Sequence, residues 1–157
     1  MSAAAIHSAD LIPTQGSVED FVSLQAAFDG VYGVFVNTDT FTIGEQREIY
    51  ANMRIFEIAK QTKTLRHYVF SGLGYALKLG GYNPEYNRVD HFNGKGRFAD
   101  WLAAQPSVVD DTALSWSVVN TCLYMEMLNH VCRPDSLSLY SSLGLTAAVY
   151  SSSYSHR

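Results

Sequence analysis

The fold of this chain is decided by the stretch from Gly30 to Ser71, which opens with Gly30-Val-Tyr-Gly-Val-Phe-Val36 and closes with His67-Tyr-Val-Phe-Ser71. Both ends of the stretch are short, nearly continuous apolar runs. The run from Val31 to Val36 is typical of a strand that is buried on both faces of a parallel sheet. The closing run predicts a second short strand.

Between the two strands, the residues from Glu45 to Gln61 follow a helical period. Apolar side chains recur at spacings of four, three and three residues, at Ile49, Met53, Phe56 and Ala59. Charged side chains are predicted on the opposite face, at Arg47, Glu48, Arg54, Glu57 and Lys60. Two parallel strands need a crossover connection, which is usually a helix. The stretch is therefore predicted to be one strand-helix-strand unit.

Polar residues follow both predicted strands at their carboxyl ends. Asn37 and Thr38 come directly after the first strand, and Ser71 closes the second. Ligands of open α/β sheets bind beyond the carboxyl ends of the strands. We therefore expect these three residues to face a ligand.

The rest of the chain continues the alternation of helices and strands. A short helix with Phe21, Leu24 and Phe28 on one face is predicted to end at Asp29-Gly30. Further helices are predicted from Phe92 to about Ala104 and at Tyr124–Val131, and a strand is predicted at Ser115–Val119. Residues 72–90 are rich in glycine and asparagine and predict a long loop, a kind of segment that is often functional. This order predicts the α/β class with a parallel sheet.

Composition excludes several classes of protein. The 157 residues are 47% hydrophobic, enough for a packed core, and carry a net charge of −4 without a Lys/Arg cluster, so direct nucleic-acid binding is not expected. No apolar run approaches the ~20 residues of a membrane span, and the first residues do not resemble a signal peptide. Cys122 and Cys132 have no metal-site spacing, and Asp110-Asp111 is predicted to be a solvated turn, so no metal site is expected. We expect a cytoplasmic protein that does not associate with membranes, and that could also enter the nucleus.

A candidate proton-transfer trio consists of Ser71, His91 and Lys95. His91 and Lys95 are four residues apart, which places them on one face at the start of a helix. Imidazole can exchange protons near neutral pH, Lys95 could hold a ribose hydroxyl or a phosphate, and Ser71 could orient a carbonyl. The alternative is that His91 and Lys95 are solvated side chains on the first turn of the helix.

Further motifs occur in a fixed order: Gly30-Val-Tyr-Gly-Val-Phe-Val-Asn-Thr-Asp39, Glu48-Ile-Tyr50, Phe56-Glu-Ile-Ala-Lys60, Arg66-His-Tyr-Val-Phe-Ser71 and Gly94-Lys-Gly-Arg97. Together they resemble the NmrA-like family, an atypical branch of the short-chain dehydrogenase/reductase superfamily, and its fungal members in particular. The likeness runs from about Gly16 to Leu128.

The resemblance implies a Rossmann-like domain that binds NADP(H) or NAD(H). Lys95 matches the Lys of the superfamily's Tyr-x-x-x-Lys motif, and His91 stands where the Tyr would be. Ser71 matches the first residue of a strand-end Ser-Ser pair. Asn37 and Thr38 match the residues at the strand end that lies beside the cofactor in the family. The resemblance thus implies catalytic roles for Ser71, His91 and Lys95, and cofactor-binding roles for Asn37, Thr38, Ser71 and Lys95.

The sequence also departs from the family. The opening strand, glycine-rich turn and second strand of the family are missing, so a partial Rossmann-like three-layer fold without its first β-α-β unit is expected. The predicted division is a poorly ordered or short edge strand at 1–16, the partial domain at 17–131 and a Ser-rich divergent tail at 132–157. Without the glycine-rich turn, which holds the pyrophosphate, cofactor binding is expected to be weakened. Apolar edges such as Val31–Val36 are also expected to be exposed.

Three functions remain open at this stage. The first is a redox-cofactor sensor or transcriptional co-regulator, which the His in place of Tyr favours. The second is an NAD(P)H-dependent oxidoreductase that uses Ser71, His91 and Lys95. The third is a truncated remnant with little independent activity. Expected partners are a dinucleotide and either a regulatory protein or a full-length relative.

Overall fold

The computed structural model describes residues 15–121 and the backbone of residues 149–150. Its strands form one sheet in the order β1-β2-β3-β4. They are β1 (Gly33–Val36), β2 (His67–Gly72), β3 (Ser115–Asn120) and β4 (Val149–Tyr150). β1, β2 and β3 run parallel, and β4 pairs with β3 in the antiparallel sense. This arrangement confirms the predicted α/β class with a parallel sheet.

The register of the sheet brings the strand ends together. Val36 lies opposite Phe70, and Gly72 lies opposite Asn120. The carboxyl ends of the three parallel strands therefore lie at the same edge of the sheet. The residues that follow them must meet there, as the strand-helix-strand prediction required.

Five α-helices lie in the described part of the chain: α1 (Phe21–Phe28), α2 (Thr40–Ile43), α3 (Glu45–Gln61), α4 (Ala76–Leu79) and α5 (Asp90–Ala103). A 3₁₀ helix at Pro84–Arg88 lies between α4 and α5. The bounds of α3 are those that its periodicity predicted. Glu45 and Glu48 in its first turn and Lys60 in its last turn suit the helix dipole. The segment 72–90, predicted as a loop, contains α4 and the 3₁₀ helix.

The core lies between the sheet and two helices. Tyr68 of β2 meets Phe56 of α3 edge to face, with the ring centroids 5.1 Å apart. Phe70 of β2 meets Phe98 of α5 in the same way at 4.6 Å. Because Tyr68 and Phe70 point to the same face of the sheet, α3 and α5 pack side by side on that face.

One prediction about α3 was wrong. Glu48 is 0% exposed, although it was assigned to the solvent face. The buried stripe of the helix consists of Glu48, Ala51, Asn52, Ile55, Phe56, Ile58 and Ala59. A carboxylate is tolerated inside a protein when it is paired and hydrogen-bonded, and Glu48 has both kinds of partner.

The prediction that the first strand is buried on both faces was also wrong. Tyr32 is 75% exposed and Phe35 is 63% exposed, while Val34 and Val36 are partly buried on the helix side. Within the described residues, β1 forms an edge of the sheet. The apolar run therefore has one covered face and one open face, and the expected exposure of this edge is seen.

Asp20 caps α1 by accepting hydrogen bonds from the amides of Val22 and Ser23. None of the described helices is long and apolar enough to cross a membrane. The predicted helix at Tyr124–Val131, both cysteines and all but the last two residues of the predicted edge segment 1–16 lie outside the described residues. So does the Ser-rich tail, except for the backbone of 149–150.

Candidate functional site

The strand-end residues singled out from the sequence converge around one side chain, Lys95. This lysine comes from the first half of α5 and extends to the carboxyl ends of β1 and β2. Its Nζ donates to the carbonyl oxygen of Thr38 at 2.7 Å and contacts Asn37 Oδ1 at 3.3 Å and the carbonyl oxygen of Ser71 at 3.4 Å. The structure thus brings Asn37, Thr38, Ser71 and Lys95 together.

These four residues differ in their access to solvent. Thr38 is 5%, Ser71 6% and Lys95 7% exposed, whereas Asn37 is an exposed residue. The open side of the site is therefore formed by Asn37 and the residues around it. Thr38, Ser71 and Lys95 form its floor.

A buried carboxylate, Glu48, completes the floor. Its Oε1 lies 3.4 Å from Lys95 Nζ and accepts a hydrogen bond of 2.7 Å from the Thr38 hydroxyl. Its Oε2 accepts a hydrogen bond from the Thr40 hydroxyl. Asn52, one turn further along α3, donates from Nδ2 to Thr38 Oγ1 at 3.0 Å. The result is a connected network of buried polar groups beneath the strand ends.

The sequence of α5 explains how Lys95 can approach so closely. A Cβ atom on Gly94 would lie 3.0 Å from Glu48 Oε2, so the glycine lets α3 and α5 meet at the carboxylate. A Cβ atom on Gly96 would lie 2.4 Å from Tyr75 Cα, so this glycine lets the segment after β2 cross the helix. The two glycines that flank Lys95 are therefore needed for close packing.

Asn93 holds the segment after β2 in place. The side chain is 0% exposed. Its Oδ1 accepts from the Leu77 amide at 3.0 Å, and its Nδ2 donates to the Tyr86 carbonyl at 2.8 Å. One buried amide thus fixes both α4 and the 3₁₀ helix against α5, beside the strand ends.

His91 is placed differently from the other candidates. Its ring lies against the rings of Phe41 and Phe92, with centroid distances of 4.8 Å and 4.7 Å. Within the described residues, His91 shares no hydrogen bond with Ser71 or Lys95. The predicted trio is therefore joined only between Ser71 and Lys95, through the Ser71 carbonyl oxygen.

Further carboxyl groups surround the site. The Thr42 hydroxyl donates to Asp39 and lowers the pKa of that carboxyl below its ordinary value. Burial raises the pKa of Glu45, and the negative charges of Asp90 and Glu48 raise it further. The positive charge of Arg97, whose Nε lies 3.4 Å from Glu45 Oε1, lowers this pKa. Both carboxyl groups thus interact electrostatically with the Lys95–Glu48 pair, Asp39 with Lys95 and Glu45 with Glu48.

The family model of the NmrA-like family matches residues 5–135. The chain belongs to the NmrA-like family. Proteins of this family bind NAD(P)-type dinucleotides in general and have a Rossmann-like fold, which the parallel sheet of this chain matches. No curated protein matches the chain significantly.

Sequence reasoning missed Glu48, Thr40 and Asn52. The helical period could have indicated two of them. Glu48 and Asn52 lie at the spacing of a helix face that also carries the apolar residues Ala51 and Ile55. Polar residues at such core positions indicate a buried polar network. Nothing in the sequence indicates that the hydroxyl of Thr40 joins it.

Proposed function

We propose that this NmrA-like protein binds NAD(P)H or NAD(P)⁺ beyond the carboxyl ends of β1 and β2. We propose further that it acts as a redox-cofactor sensor or regulatory module rather than as an efficient enzyme. The observation that carries the proposal is the convergence of Asn37, Thr38, Ser71 and Lys95 at this edge of a parallel sheet. Ligands of such sheets bind at this edge.

Each residue contributes differently to this proposal. Asn37 is exposed, and its Oδ1 contacts Lys95 Nζ. The other polar atom of this side chain, Nδ2, would therefore donate a hydrogen bond to a ligand. Thr38, Ser71 and Lys95 shape the floor on which a ribose or nicotinamide would lie. The sequence contains no G-x-G-x-x-G turn to hold a pyrophosphate, so we propose weak binding through the ribose and nicotinamide side.

A regulatory role is favoured by the surroundings of the His91 imidazole, which stands where the superfamily's motif has its Tyr. Reduction of a carbonyl needs a proton donor within hydrogen-bond reach of the substrate oxygen. Within the described residues His91 contacts the rings of Phe41 and Phe92 and has no hydrogen bond to Ser71 or Lys95. A reductase remains the second candidate, because the Lys of the superfamily's motif does reach the strand ends as Lys95.

The test is a thermal melt of the chain, followed by far-UV circular dichroism, with and without NADPH or NADH. A ligand that binds only the folded state adds about 2.7 kcal/mol of stability at a hundredfold excess over its dissociation constant. We expect an upward shift in the midpoint, and a smaller shift for Asn37→Ala. Asn87→Ala, a matched change at an exposed position of the 3₁₀ helix, should keep the full shift.

The other outcomes are equally informative. A cooperative melt that neither cofactor shifts would contradict dinucleotide binding. Oxidation of NADPH in the presence of quinones or aldehydes, abolished by Lys95→Ala, would favour the reductase. A chain without a cooperative melt would favour a remnant that acts only with a regulatory protein or a full-length relative as partner.

A further inference from the structure

We propose that Glu48 is the positioning residue of the strand-end site. In this proposal its buried carboxylate orders residues 37–40 and neutralises Lys95, so that the site holds its ligand by shape and hydrogen bonds and not by the charge of the lysine. The inference rests on the proposed function only in naming a dinucleotide as the ligand.

Both carboxylate oxygens of Glu48 have partners inside the protein. Oε1 meets the Thr38 hydroxyl at 2.7 Å and Lys95 Nζ at 3.4 Å, and Oε2 accepts from the Thr40 hydroxyl. Glu48 itself is 0% exposed. A carboxylate with no access to solvent cannot contact a ligand directly, so its effect on the site must pass through these three neighbours.

The donors of Lys95 Nζ also have partners inside the protein. An ammonium group has three N–H donors. Four oxygens surround Lys95 Nζ: Thr38 O at 2.7 Å, Asn37 Oδ1 at 3.3 Å, Ser71 O at 3.4 Å and Glu48 Oε1 at 3.4 Å. The side chain is 9% exposed. Every donor of the ammonium is thus used inside the protein, and none is left for a phosphate or a ribose hydroxyl.

Glu48 links two parts of the chain that are far apart in the sequence. Thr38 and Thr40 belong to the segment that leads from β1 to α2, and Lys95 belongs to α5. Glu48 lies on α3, which contacts both α2 and α5, and its carboxylate reaches both parts. The carboxylate therefore adds a second link between these two parts of the strand-end site, beside the direct contacts of Lys95 Nζ with Thr38 and Asn37.

Variants of Glu48 and Lys95 should change the salt dependence of NADPH binding in opposite directions. Glu48→Gln keeps the shape of the side chain but leaves Lys95 as an uncompensated cation. We expect NADPH binding by this variant to become more dependent on salt, because the uncompensated charge beneath the strand ends attracts phosphates at the surface and this attraction is screened by ions. Lys95→Met should shift the salt dependence in the opposite direction, because Glu48 is then left as an uncompensated anion that repels phosphates. The double variant Glu48→Gln/Lys95→Met, which removes both charges, should keep the salt dependence of the wild-type protein.

Hydrogen exchange gives a readout that does not depend on the ligand. We expect the amides of residues 37–41 to exchange about tenfold faster in Glu48→Gln, because the hydroxyls of Thr38 and Thr40 lose a charged acceptor. Thr40→Val removes one of these hydrogen bonds and leaves the ion pair, so it provides a milder variant if Glu48→Gln does not fold. Thr64→Val, at an exposed position before β2, is the matched control and should leave these amides unchanged.

The inference is overturned if Thr40→Val and Glu48→Gln leave exchange at 37–41 unchanged, or if the double variant Glu48→Gln/Lys95→Met loses the salt dependence of binding that the wild-type protein has. A wild-type chain that binds no dinucleotide would refute the proposed function instead. The exchange measurement would then still decide whether Glu48 orders the strand end, so the two failures are distinguishable.

Discussion

Lys95 Nζ lies 3.4 Å from Glu48 Oε1 in a contact from which solvent is almost excluded, with the lysine side chain 9% exposed and the glutamate 0%. The pair joins α5 to α3 directly beneath the carboxyl ends of β1 and β2. A buried ion pair adds little net stability compared with a well-packed apolar pair, but removal of one partner leaves an uncompensated charge in the interior.

This asymmetry predicts the effect of Lys95→Met. The variant should lose about 3–5 kcal/mol of unfolding free energy, because Glu48 would keep a buried negative charge. Urea unfolding measures the loss. The matched control is Lys78→Met, which breaks an ion pair with Asp100 whose two side chains are 51% and 47% exposed; it should leave the midpoint almost unchanged. Equal losses in the two variants would contradict a role of burial.

Glu45 gives a pH dependence of known sign. Burial raises its pKa above the ordinary value of 4.5, so the folded protein binds the proton more tightly than the unfolded chain does. The resulting stability is present below the ordinary value and is lost as the pH rises through the raised pKa. Glu45→Gln cannot ionise and does not lose this stability. The melting temperature of the variant minus that of the wild-type protein should therefore increase as the pH rises over this range. A difference that stays constant, or that grows toward acid, would contradict the prediction.

Much of the fold could be predicted because local patterns were strong. The helical period fixed the bounds of α3, and the apolar runs located β2 and β3. The convergence of Asn37 and Ser71 followed from one rule of topology, since parallel strands end at the same edge of a sheet. Lys95 reached this edge as the family resemblance implied.

The burial of Glu48 could not be predicted in this way. A carboxylate is placed outside unless its partner is known, and that partner, Lys95, lies 47 residues further along the chain (95 − 48). The exposure of Phe35 did not follow from its own apolar run, because such a run does not show whether a neighbouring strand or helix covers it; only the departure from the family indicated this exposure. The stacking of His91 on Phe41 likewise depends on tertiary packing alone.

Gly96 offers a test of the close contact between α5 and the segment after β2. Alanine would favour the helix by about 1 kcal/mol, but its Cβ would lie 2.4 Å from Tyr75 Cα and 2.8 Å from Tyr75 N, which are backbone atoms that cannot rotate away. We expect Gly96→Ala to lose about 1–3 kcal/mol in chemical denaturation, since overpacking costs more than the helix gains. Gly74→Ala is the control, because its nearest atom is the flexible end of the Leu79 side chain at 3.2 Å. A Gly96→Ala protein as stable as this control would contradict the proposed packing.

The hydrogen bonds of Asn93 predict how the segment after β2 can be released without unfolding the sheet. In Asn93→Asp, one oxygen still accepts from the Leu77 amide, but the donor to the Tyr86 carbonyl is lost and two oxygens face each other. The 3₁₀ helix should therefore detach from α5. Trypsin should cut faster after Lys78 and Arg88, the exposed basic residues that border the segment.

Asn87→Asp is the matched control for this prediction, since it makes the same chemical change at an exposed position of the 3₁₀ helix. Both variants gain one negative charge near the cleavage sites, so an effect of charge on trypsin would appear in both. Faster cleavage in Asn93→Asp alone, with a cooperative melt retained, would show that the buried amide holds the segment. Equal cleavage rates in the two variants would show that the segment is held by other contacts, such as the packing of the Tyr86 ring against Gly80.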